Sequence, residues 1–212
     1  MTESAIDAEQ KIEIFFKKCP EKTYKKGDLV IENSTKRPEF IYYIQKGYVG
    51  QMKKNNSPGN IITLNILKKK SYFPIILALG DLENQYDFKA FSDVKVRVAP
   101  VADVIAFLKA NADVLFSLTS RLSQGVGGLL NHLETLMIKE ASDQILDTLT
   151  VYAKRFGQKE GKYFKIDLEL THKNLAGVLG LTRETVTREL KELIKNREII
   201  RKGKYFYIAL AN

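Results

Sequence analysis

One short stretch of this chain, residues 180–193, reads GLTRETVTRELKEL. Its apolar residues recur at helical spacing, so that Val186, Leu190 and Leu193 share one side of a predicted helix. The polar residues share the opposite side within an arc of about 140°; they are Arg183, Glu184, Thr187, Arg188 and Lys191. A helix face that is merely solvated usually favours Lys and Glu. The density of arginine and threonine therefore needs another explanation.

The residues before this helix indicate a second helix and a turn. Thr171 suits the N-cap of the segment HKNLAGVL, whose Leu175 and Leu179 can pack on the apolar side of the following helix. Gly180 can end that segment in the left-handed conformation, which glycine adopts readily. Thr182 then caps the next helix after a tight turn. The spacing predicts a helix-turn-helix.

The side chains at the start of the second helix have the chemistry of DNA recognition. Arginine donates two hydrogen bonds to guanine in the major groove, and glutamate accepts one from the cytosine amino group. Arg183, Glu184 and Arg188 are therefore candidate base-reading residues, because this end of the helix reaches base edges in such motifs. Threonine hydroxyls can bind phosphate, which makes Thr187 a candidate together with His172. The alternative is a solvated helix with a Glu184–Arg188 ion pair.

The C-terminal segment IIRKGKYFYIAL is typical of a hairpin that turns at Gly203. Upstream of the two helices, the sequence indicates a helix through ILDTLTVYAKRF, a turn at QKEGK and a strand KYFKIDLEL. Pairing of that strand with the hairpin would complete a winged helix-turn-helix. Arg201, Lys202 and Lys204 would lie at the wing, where basic side chains bind phosphate without reading sequence. A basic tip that serves only solubility is an equal alternative for each of them.

Residues from about 24 to 98 form short β-branched and aromatic runs separated by turn residues. The runs include DLVIEN, EFIYYIQKGYVGQM, NIITLNIL and DFKAFSDVKVRVA, which are typical of strands. Gly47 and a turn at Ser57–Asn60 suit hairpins. The pattern predicts an all-β roll or barrel.

From about Val101 to Met137 the apolar period becomes helical. A stripe at three- and four-residue spacing comprises Leu115, Leu118, Leu122, Val126, Leu129, Leu133 and Leu136. The stripe is long for a helix that packs on a small roll, so it can continue as a seam between two subunits. Packing on the chain's own β-module is the alternative. Glycines in this stretch, which would let two helices approach closely, are Gly125, Gly127 and Gly128.

Composition limits the class of protein. With 212 residues, of which 44% are hydrophobic, the chain can bury a core, and its net charge of +9 favours a polyanionic partner. The single cysteine, Cys19, excludes a disulfide framework and an iron–sulfur cluster, and the two histidines, His132 and His172, are far apart. The N-terminus lacks a basic region followed by an apolar stretch, and no apolar run is long enough to span a membrane. We therefore expect a cytoplasmic protein with no membrane segment, metal or cofactor.

Nearly the whole chain resembles the Crp/Fnr family of bacterial transcription regulators. The most specific part is the R-E-T-V-x-R core within LTHKNLAGVLGLTRETVTRELKELIKNREIIRKGKYFYI, and KKGDLVIEN with FIYYIQKGYVG resembles the family's cyclic-nucleotide-binding roll. The resemblance implies an α+β fold in three parts. These are a sensor β-roll at residues 1–110, a dimerisation helix at 111–138 and a winged helix-turn-helix at 139–212.

The resemblance also implies a function. The chain would bind double-stranded DNA as a homodimer, at a palindrome with half-sites similar to the TGTGA type. The positions that read bases in the family match Arg183, Glu184 and Arg188. The positions that contact phosphate match Thr171, Thr182 and Thr185. Regulation would rotate the DNA-binding domains about a hinge near Ile138–Glu140.

The sensor half departs from the family's cyclic-nucleotide binders, which hold the cyclic phosphate with a Gly-Glu segment and an Arg-Ser pair. The corresponding residues 72–93 read YFPIILALGDLENQYDFKAFSD and contain no arginine. The Arg-Ser positions fall near Asn84–Tyr86. A buried phosphate would lack its bidentate charge partner, and Lys89 is a poor replacement. We expect weak or no binding of cyclic AMP.

Aromatic residues of this half can line an apolar pocket for another effector. The candidate pocket residues are Tyr72, Phe73, Tyr86, Phe88 and Lys89. The alternative, which is commoner for aromatics in a small roll, is that the rings are core. Without an effector site, the protein would bind DNA constitutively under the control of its abundance.

Two other classes of function compete with this interpretation. One is a small-molecule sensor or protein-interaction module whose winged helix does not bind DNA. An enzyme is the weakest option, because the chain has no recognisable set of nucleophile, base and orienting group, no metal set and no phosphate-cradling glycine loop. An activating role would also need a surface for RNA polymerase, which the sequence does not identify.

Overall fold

A computed structural model describes residues 7–34, 36–54, 61–138 and 140–209, without the side chains of Lys54, Asn131, His132 and residues 135–138. The predicted turn at Ser57–Asn60, Lys139 of the predicted hinge and the side chain of Leu136 lie outside the described part. The chain divides into two compact units. One comprises residues 1–54 and 64–127, and the other comprises residues 55–63 and 128–212.

The N-terminal part combines two four-stranded sheets with helices. Its strands are β1 (Glu21–Tyr24), β2 (Leu29–Ile31), β3 (Phe40–Lys46), β4 (Val49–Lys54), β5 (Ile61–Leu67), β6 (Tyr72–Phe73), β7 (Asp87–Ala90) and β8 (Val94–Pro100). Its helices are α1 (Ala8–Lys17), α2 (Ile75–Leu79), α3 (Val101–Ala110) and α4 (Ala112–Ile138). The strand orders are β1-β8-β3-β6 and β2-β7-β4-β5. The predicted β-roll and long helix are confirmed.

The first of these sheets has an apolar core on each side. Side chains alternate along β3, so Ile41 and Tyr43 pack with α1, α3 and α4, whereas Ile44 packs with residues of the second sheet. The ring of Phe16 in α1 stacks on that of Tyr43, with centroids 4.9 Å apart. Aromatic residues of the roll therefore serve as core, as the alternative interpretation held for them.

Two helices of the N-terminal part were not predicted. Asp7 caps α1 by accepting a hydrogen bond from the Gln10 backbone N–H at 2.7 Å, and Ile12 and Phe16 bury one face of the helix. Helix α2 forms within the apolar run PIILAL, where Ile75 and Leu77 are buried. A short apolar run has no period that separates helix from strand.

Gly47 lies at the predicted hairpin between β3 and β4, where its φ is 89°. A Cβ atom at this position would collide with the backbone carbonyl oxygen of Asp93. Both the positive φ and the close approach require glycine.

The predicted helical stretch forms two helices, because helix α3 ends at its C-cap Asn111 and helix α4 begins at the next residue. Val114 and Leu118 of α4 are buried in the core of the first unit, and Leu122 packs against it. The predicted stripe began at Leu115, but that side chain is 40% exposed, and the buried residue at this point of the helix is its neighbour Val114. Further along, the apolar side chains are more than half exposed: Val126 at 55%, Leu129 at 59%, Leu130 at 61% and Leu133 at 54%.

The C-terminal part is a three-helix cluster with one sheet. Its elements are α5 (Ala141–Phe156), β9 (Gly157–Glu160), β10 (Tyr163–Ile166), α6 (His172–Leu179), α7 (Arg183–Lys195), β11 (Ile199–Lys202) and β12 (Tyr205–Ile208). The strand order is β11-β12-β10-β9. The predicted helix-turn-helix and wing are confirmed, with the hairpin turning at Gly203, where φ is 59°.

Two details around the first strands of this sheet differ from the prediction. The predicted turn QKEGK is mostly strand β9, and the reversal occurs at Gly161, where φ is 62°. The strand predicted as KYFKIDLEL ends at Ile166. Leu168 and Leu170 are each 3% exposed, so their alternation with Asp167 and Glu169 reflects burial of loop residues without strand pairing.

Replacement of Leu190 tests the core of the C-terminal unit. Its side chain is 1% exposed, so Leu190→Ala should lower the free energy of unfolding by about 2–5 kcal/mol through lost contacts and a cavity. Urea unfolding followed by hydrogen-exchange mass spectrometry of residues 141–209 measures the change. The control is Ile194→Ala in the same helix, where the side chain is 37% exposed and the cost should stay below about 1 kcal/mol. Equal losses would contradict the assigned core face.

Candidate nucleic-acid interface

The turn between α6 and α7 is built from local hydrogen bonds that the sequence predicted. Thr171 and Asn174 form a capping box at the start of α6, and Gly180 ends that helix with a φ of 66°. Thr182 caps α7 by accepting a hydrogen bond from the Thr185 backbone N–H at 3.1 Å. The two helix ends are therefore fixed by groups within the motif.

The buried side of α7 determines which residues face outward. Val186, Leu190 and Leu193 are 0%, 1% and 4% exposed. Arg183 and Glu184 are exposed in the first turn of the helix. A helix oriented in this way presents charged donors and acceptors at its N-terminal end, the end that reaches base edges in known helix-turn-helix proteins.

Arg188 lies on the exposed face, but its ion pair differs from the expected one. The Nε of Arg188 donates to Glu189 Oε1 at 2.9 Å, and its Nη2 lies 2.8 Å from the same oxygen. Glu189 is the less exposed partner, with a side-chain exposure of 19% against 71% for Arg188. The Glu184–Arg188 pair of the alternative interpretation is absent from the described contacts, and within the described residues Glu184 has no ion-pair partner.

The threonine hydroxyls of the motif are used inside the protein. The hydroxyl of Thr171 bonds to the Asn174 side chain, and that of Thr182 bonds to the Thr185 hydroxyl at 2.9 Å. The Thr187 hydroxyl donates to the Arg183 carbonyl oxygen at 2.7 Å. Thr171 and Thr182 therefore cap their helices, and Thr187 bonds within α7. The contacts of these threonines with phosphate stay a prediction.

His172 joins three elements, although it was predicted only as a phosphate contact. Its Nδ1 lies 2.8 Å from Thr187 Oγ1 of α7, and its Nε2 lies 2.8 Å from Arg201 Nη1 of β11. Partial burial, followed by the charges of Arg201 and Arg183, holds the pKa of His172 below its ordinary value. The neutral ring is therefore the form present near neutral pH. Because its pKa is lowered in the folded state, neutral His172 contributes to the free energy of unfolding. This contribution is complete above about pH 6.5 and is lost as pH falls through the lowered pKa.

The wing presents basic and aromatic side chains together. Lys204 lies 3.6 Å from a Glu169 carboxylate oxygen, whereas Lys202 is exposed with its Nζ 5.1 Å from the Tyr207 ring centroid. The ammonium of Lys165 lies 4.5 Å from the Tyr205 ring centroid. The sequence did not predict these pairings of lysine with tyrosine, because they depend on the registers of β12 with β10 and with β11.

The candidate effector residues do not surround one cavity. Tyr72 belongs to the core beside α1, whereas Phe73 and Phe88 belong to the core between the sheets and stack with centroids 5.1 Å apart. Tyr86 packs at the edge of that second core. Lys89 is exposed, because strand alternation turns it away from the side that Phe88 occupies. The four aromatic candidates therefore pack in or against the apolar cores, and Lys89 points away from them.

Asn84 lies at the start of Asn84–Tyr86, near which the family's Arg-Ser pair was expected, and its amide is already bonded. It is 2% exposed; its Nδ2 donates to the Glu32 carbonyl oxygen at 3.0 Å, and its Oδ1 accepts from the Tyr86 backbone N–H at 3.1 Å. A shallow cavity of about 180 Å³ that the sequence did not predict lies beside it, with Arg37 and Pro74 among its lining residues. Arg37 pairs with Asp81 at 3.0 Å.

Other candidate chemistry in the described residues is sparse. Burial raises the pKa of the Cys19 thiol, whose sulfur lies 3.6 Å from the Phe15 carbonyl oxygen, so the reactive thiolate is disfavoured. Over the described ranges there is no group of three or more His, Cys, Asp or Glu side chains placed to hold a metal ion. None of the helices described is both long enough and apolar enough to span a bilayer.

Comparisons with known proteins agree with this architecture. A family model described as a Crp-like helix-turn-helix domain matches residues 144–211. The global nitrogen regulator of Synechocystis sp. is 29% identical over 157 residues, which cover 73% of this chain and 69% of that protein.

Two solved structures share the fold of nearly the whole chain. A CooA mutant from Carboxydothermus hydrogenoformans superposes with a TM-score of 0.75 at 19% identity, covering 92% of this chain and 85% of that one. A CRP/FNR family transcriptional regulator from Thermus thermophilus superposes with a TM-score of 0.70 at 21% identity, covering 90% and 94%. The likeness extends over both units of the chain.

The cap of α7 can be tested without DNA. Thr182→Ala removes the acceptor for the Thr185 N–H and should lower the free energy of unfolding of the C-terminal unit by about 1 kcal/mol. Faster amide exchange in the first turn of α7, measured by NMR, would accompany the loss. Thr182→Ser is the matched control because it keeps the hydroxyl. A serine variant as unstable as the alanine variant would show that the cap does not hold the turn.

Proposed function

We propose that this chain, which is a DNA-binding transcription regulator of the Crp/Fnr type, recognises a palindromic site as a homodimer and does so without cyclic AMP. The observation that carries the proposal is the first turn of α7, where Arg183 and Glu184 stand exposed while Val186 on the opposite side is 0% exposed. A recognition helix needs this polarity, because it must leave its packed side in the protein when it enters the groove.

Base reading is assigned to Arg183, Glu184 and Arg188. Arg183 and Glu184 are exposed without an ion-pair partner in the described part of the chain, so they can turn to bases without breaking a salt bridge. Arg188 must break its ion pair with Glu189 before its guanidinium can bind a base. A bidentate contact between arginine and guanine is the commonest specific contact in the major groove and suits this exchange.

Phosphate binding is assigned to the wing and to the helix ends. Lys202 is exposed at the wing, and Lys204 can leave Glu169, since their 3.6 Å contact lies at the surface. An exposed ion pair of this kind contributes little to stability. Such phosphate contacts position the motif and make its affinity depend on salt concentration.

The homodimer is proposed from the apolar face of α4. Val126, Leu129, Leu130 and Leu133 are each more than half exposed in the single chain, and exposed apolar stripes of this length mark interfaces. A Cβ atom built at Gly125, Gly127 or Gly128 meets nothing within 4 Å, so a second helix has room to approach there. Two-fold symmetry would then place the half-sites about 34 Å apart.

Independence from cyclic AMP is proposed from the region around Asn84. Residues 72–93 contain no arginine, and the buried Asn84 amide already satisfies two backbone groups. A cyclic phosphate placed there would find no arginine from this segment, and Arg37, which lines the neighbouring cavity, already pairs with Asp81. DNA binding in the cytoplasm would then be controlled by the abundance of the protein or by another signal. Such a signal would act by rotating the DNA-binding domains near Ile138–Glu140.

Alanine substitution of the base-reading arginines tests DNA recognition. Arg183→Ala and Arg188→Ala should each cost about 1–3 kcal/mol of specific binding. Fluorescence anisotropy with a TGTGA-type palindrome and a scrambled duplex, at fixed salt, measures affinity and discrimination together. Lys195→Ala is the control, because it removes a positive charge at the other end of α7, where Lys195 pairs with Glu192 at 3.6 Å.

The control should weaken both duplexes slightly and leave discrimination unchanged. Intact discrimination in both arginine variants would favour the alternative function, a winged helix that serves sensing or protein interaction. Added cyclic AMP should change neither affinity. Specific binding that appears only with the nucleotide would overturn the assignment of the Asn84 region.

The proposed dimer face can be tested by a charge. Leu129→Glu should shift the protein from dimer to monomer, because two carboxylates would meet across a symmetric apolar seam. Sedimentation equilibrium measures the mass. Ile76→Glu is the control on α2, where the replaced side chain is similarly exposed, at 60% against 59%. A dimer that persists in the Leu129 variant and dissociates in the Ile76 variant would place the interface elsewhere.

A further inference from the structure

His172 sits at the junction of the two surfaces that are proposed to touch DNA. One ring nitrogen meets α7 at Thr187, and the other meets β11 at Arg201, each at 2.8 Å. The Thr187 hydroxyl continues the chain to the Arg183 carbonyl oxygen at 2.7 Å. Arg201 in turn donates from its Nε to the Gly203 carbonyl oxygen at 3.2 Å. A continuous path of hydrogen bonds therefore runs from the wing turn to the start of the recognition helix.

The chemistry of arginine sets the direction of every hydrogen bond in this path. A guanidinium has donors and no acceptor, so His172 Nε2 must accept from Arg201. A neutral imidazole carries one proton, which must then lie on Nδ1 and be donated to Thr187 Oγ1. The Thr187 hydroxyl is left to donate its own proton to the Arg183 carbonyl oxygen. Only the Nδ1–H tautomer of the neutral ring satisfies all three contacts.

The charges that face the ring oppose a second proton. Arg201 approaches from β11 and Arg183 from α7, and both disfavour the imidazolium together with partial burial. Lys173 is the neighbouring cation on His172's own helix. A proton on Nε2 would place two N–H donors against each other at the contact with Arg201, so the path would break there.

We propose that neutral His172 is a positioning residue that ties the wing to the recognition helix, and that its protonation separates them and weakens specific DNA binding. This rests on the proposed DNA-binding function of the same surface. It replaces the direct phosphate contact predicted for His172, since both ring nitrogens are occupied.

The two roles of His172 give opposite dependence on pH. A histidine that contacts phosphate binds better when it is protonated, so its contribution to affinity grows as pH falls. A neutral positioning histidine loses its contribution over the same range. The sign of the difference between the wild-type protein and a variant that cannot titrate therefore separates the roles.

The first test is the tautomer in the DNA-free protein. The chain has two histidines, so His132→Gln leaves one imidazole in the full-length protein. Nitrogen-15 NMR of that ring near pH 7.5 should show Nδ1–H and an unprotonated Nε2. The opposite tautomer, or a ring already protonated, would overturn the proposal whether or not the protein binds DNA.

The second test is the pH profile of specific DNA binding. Between about pH 7.5 and 5.5, affinity for the palindrome should fall further in the wild-type protein than in His172→Gln, by a factor that stays below about tenfold because the pKa of His172 lies below its ordinary value. His132→Gln should keep the wild-type profile. Thr187→Val, which removes the acceptor for Nδ1–H together with the hydroxyl's own bond to the Arg183 carbonyl oxygen, should weaken binding near pH 7.5 and flatten the profile.

The outcomes separate this proposal from the proposed function. If the wild-type protein does not prefer the palindrome near pH 7.5, the DNA-binding proposal fails, and the NMR tautomer alone decides the role of His172. If the wild-type protein binds specifically but His172→Gln has the same profile, the positioning role is wrong. Tighter binding at low pH that His172→Gln abolishes would restore the phosphate contact.

Discussion

Burial of one side of α7 is the constraint on which the C-terminal half depends. Val186, Leu190 and Leu193 are almost fully buried, so the helix cannot rotate about its axis without exposing them. This fixes Arg183 and Glu184 outward and leaves Thr187 within reach of His172. Apolar packing thus determines which polar groups meet solvent, and the hydrogen bonds of the turn determine where the helix begins. The proposed recognition chemistry is a consequence of both.

The N-terminal half shows a different use of similar packing. Its aromatic rings fill the two sides of one sheet, and the buried Asn84 amide bonds to backbone groups in the segment where the family's cyclic-phosphate contacts were expected. An amide bonded to two backbone groups stabilises the segment in one conformation.

Local signals were sufficient to predict the helix-turn-helix from sequence. Thr171, Gly180 and Thr182 act within three or four residues of themselves, so their roles as caps and turn can be recognised without tertiary information. The β-roll was also predictable from its alternating runs. The three-part division at 1–110, 111–138 and 139–212 stays a prediction.

The features that the sequence did not predict depend on contacts between distant residues or on ambiguous runs. Strand β9 was assigned to a turn because its polar residues QKE have no apolar alternation. Arg188 pairs with Glu189 and not with Glu184, and His172 contacts Arg201, which lies 29 residues away in the sequence. Spacing along one helix cannot show the contact of His172 with Arg201, because Arg201 belongs to strand β11. The buried aromatics of the roll were likewise open between pocket and core until packing assigned them.

The ion pair between Arg188 and Glu189 has a consequence for how DNA would be searched. The carboxylate is an internal competitor that holds the guanidinium at 2.8 Å before any nucleic acid arrives. When Arg188 contacts a DNA phosphate outside a specific site, it gives up one anion for another. The net free energy that it gains from such non-specific contact is therefore small. A guanine edge offers two aligned acceptors. The pair would thus reduce what Arg188 gains from non-specific contact by no more than the roughly 1 kcal/mol of an exposed ion pair, and Arg188 would leave Glu189 most readily at a guanine edge.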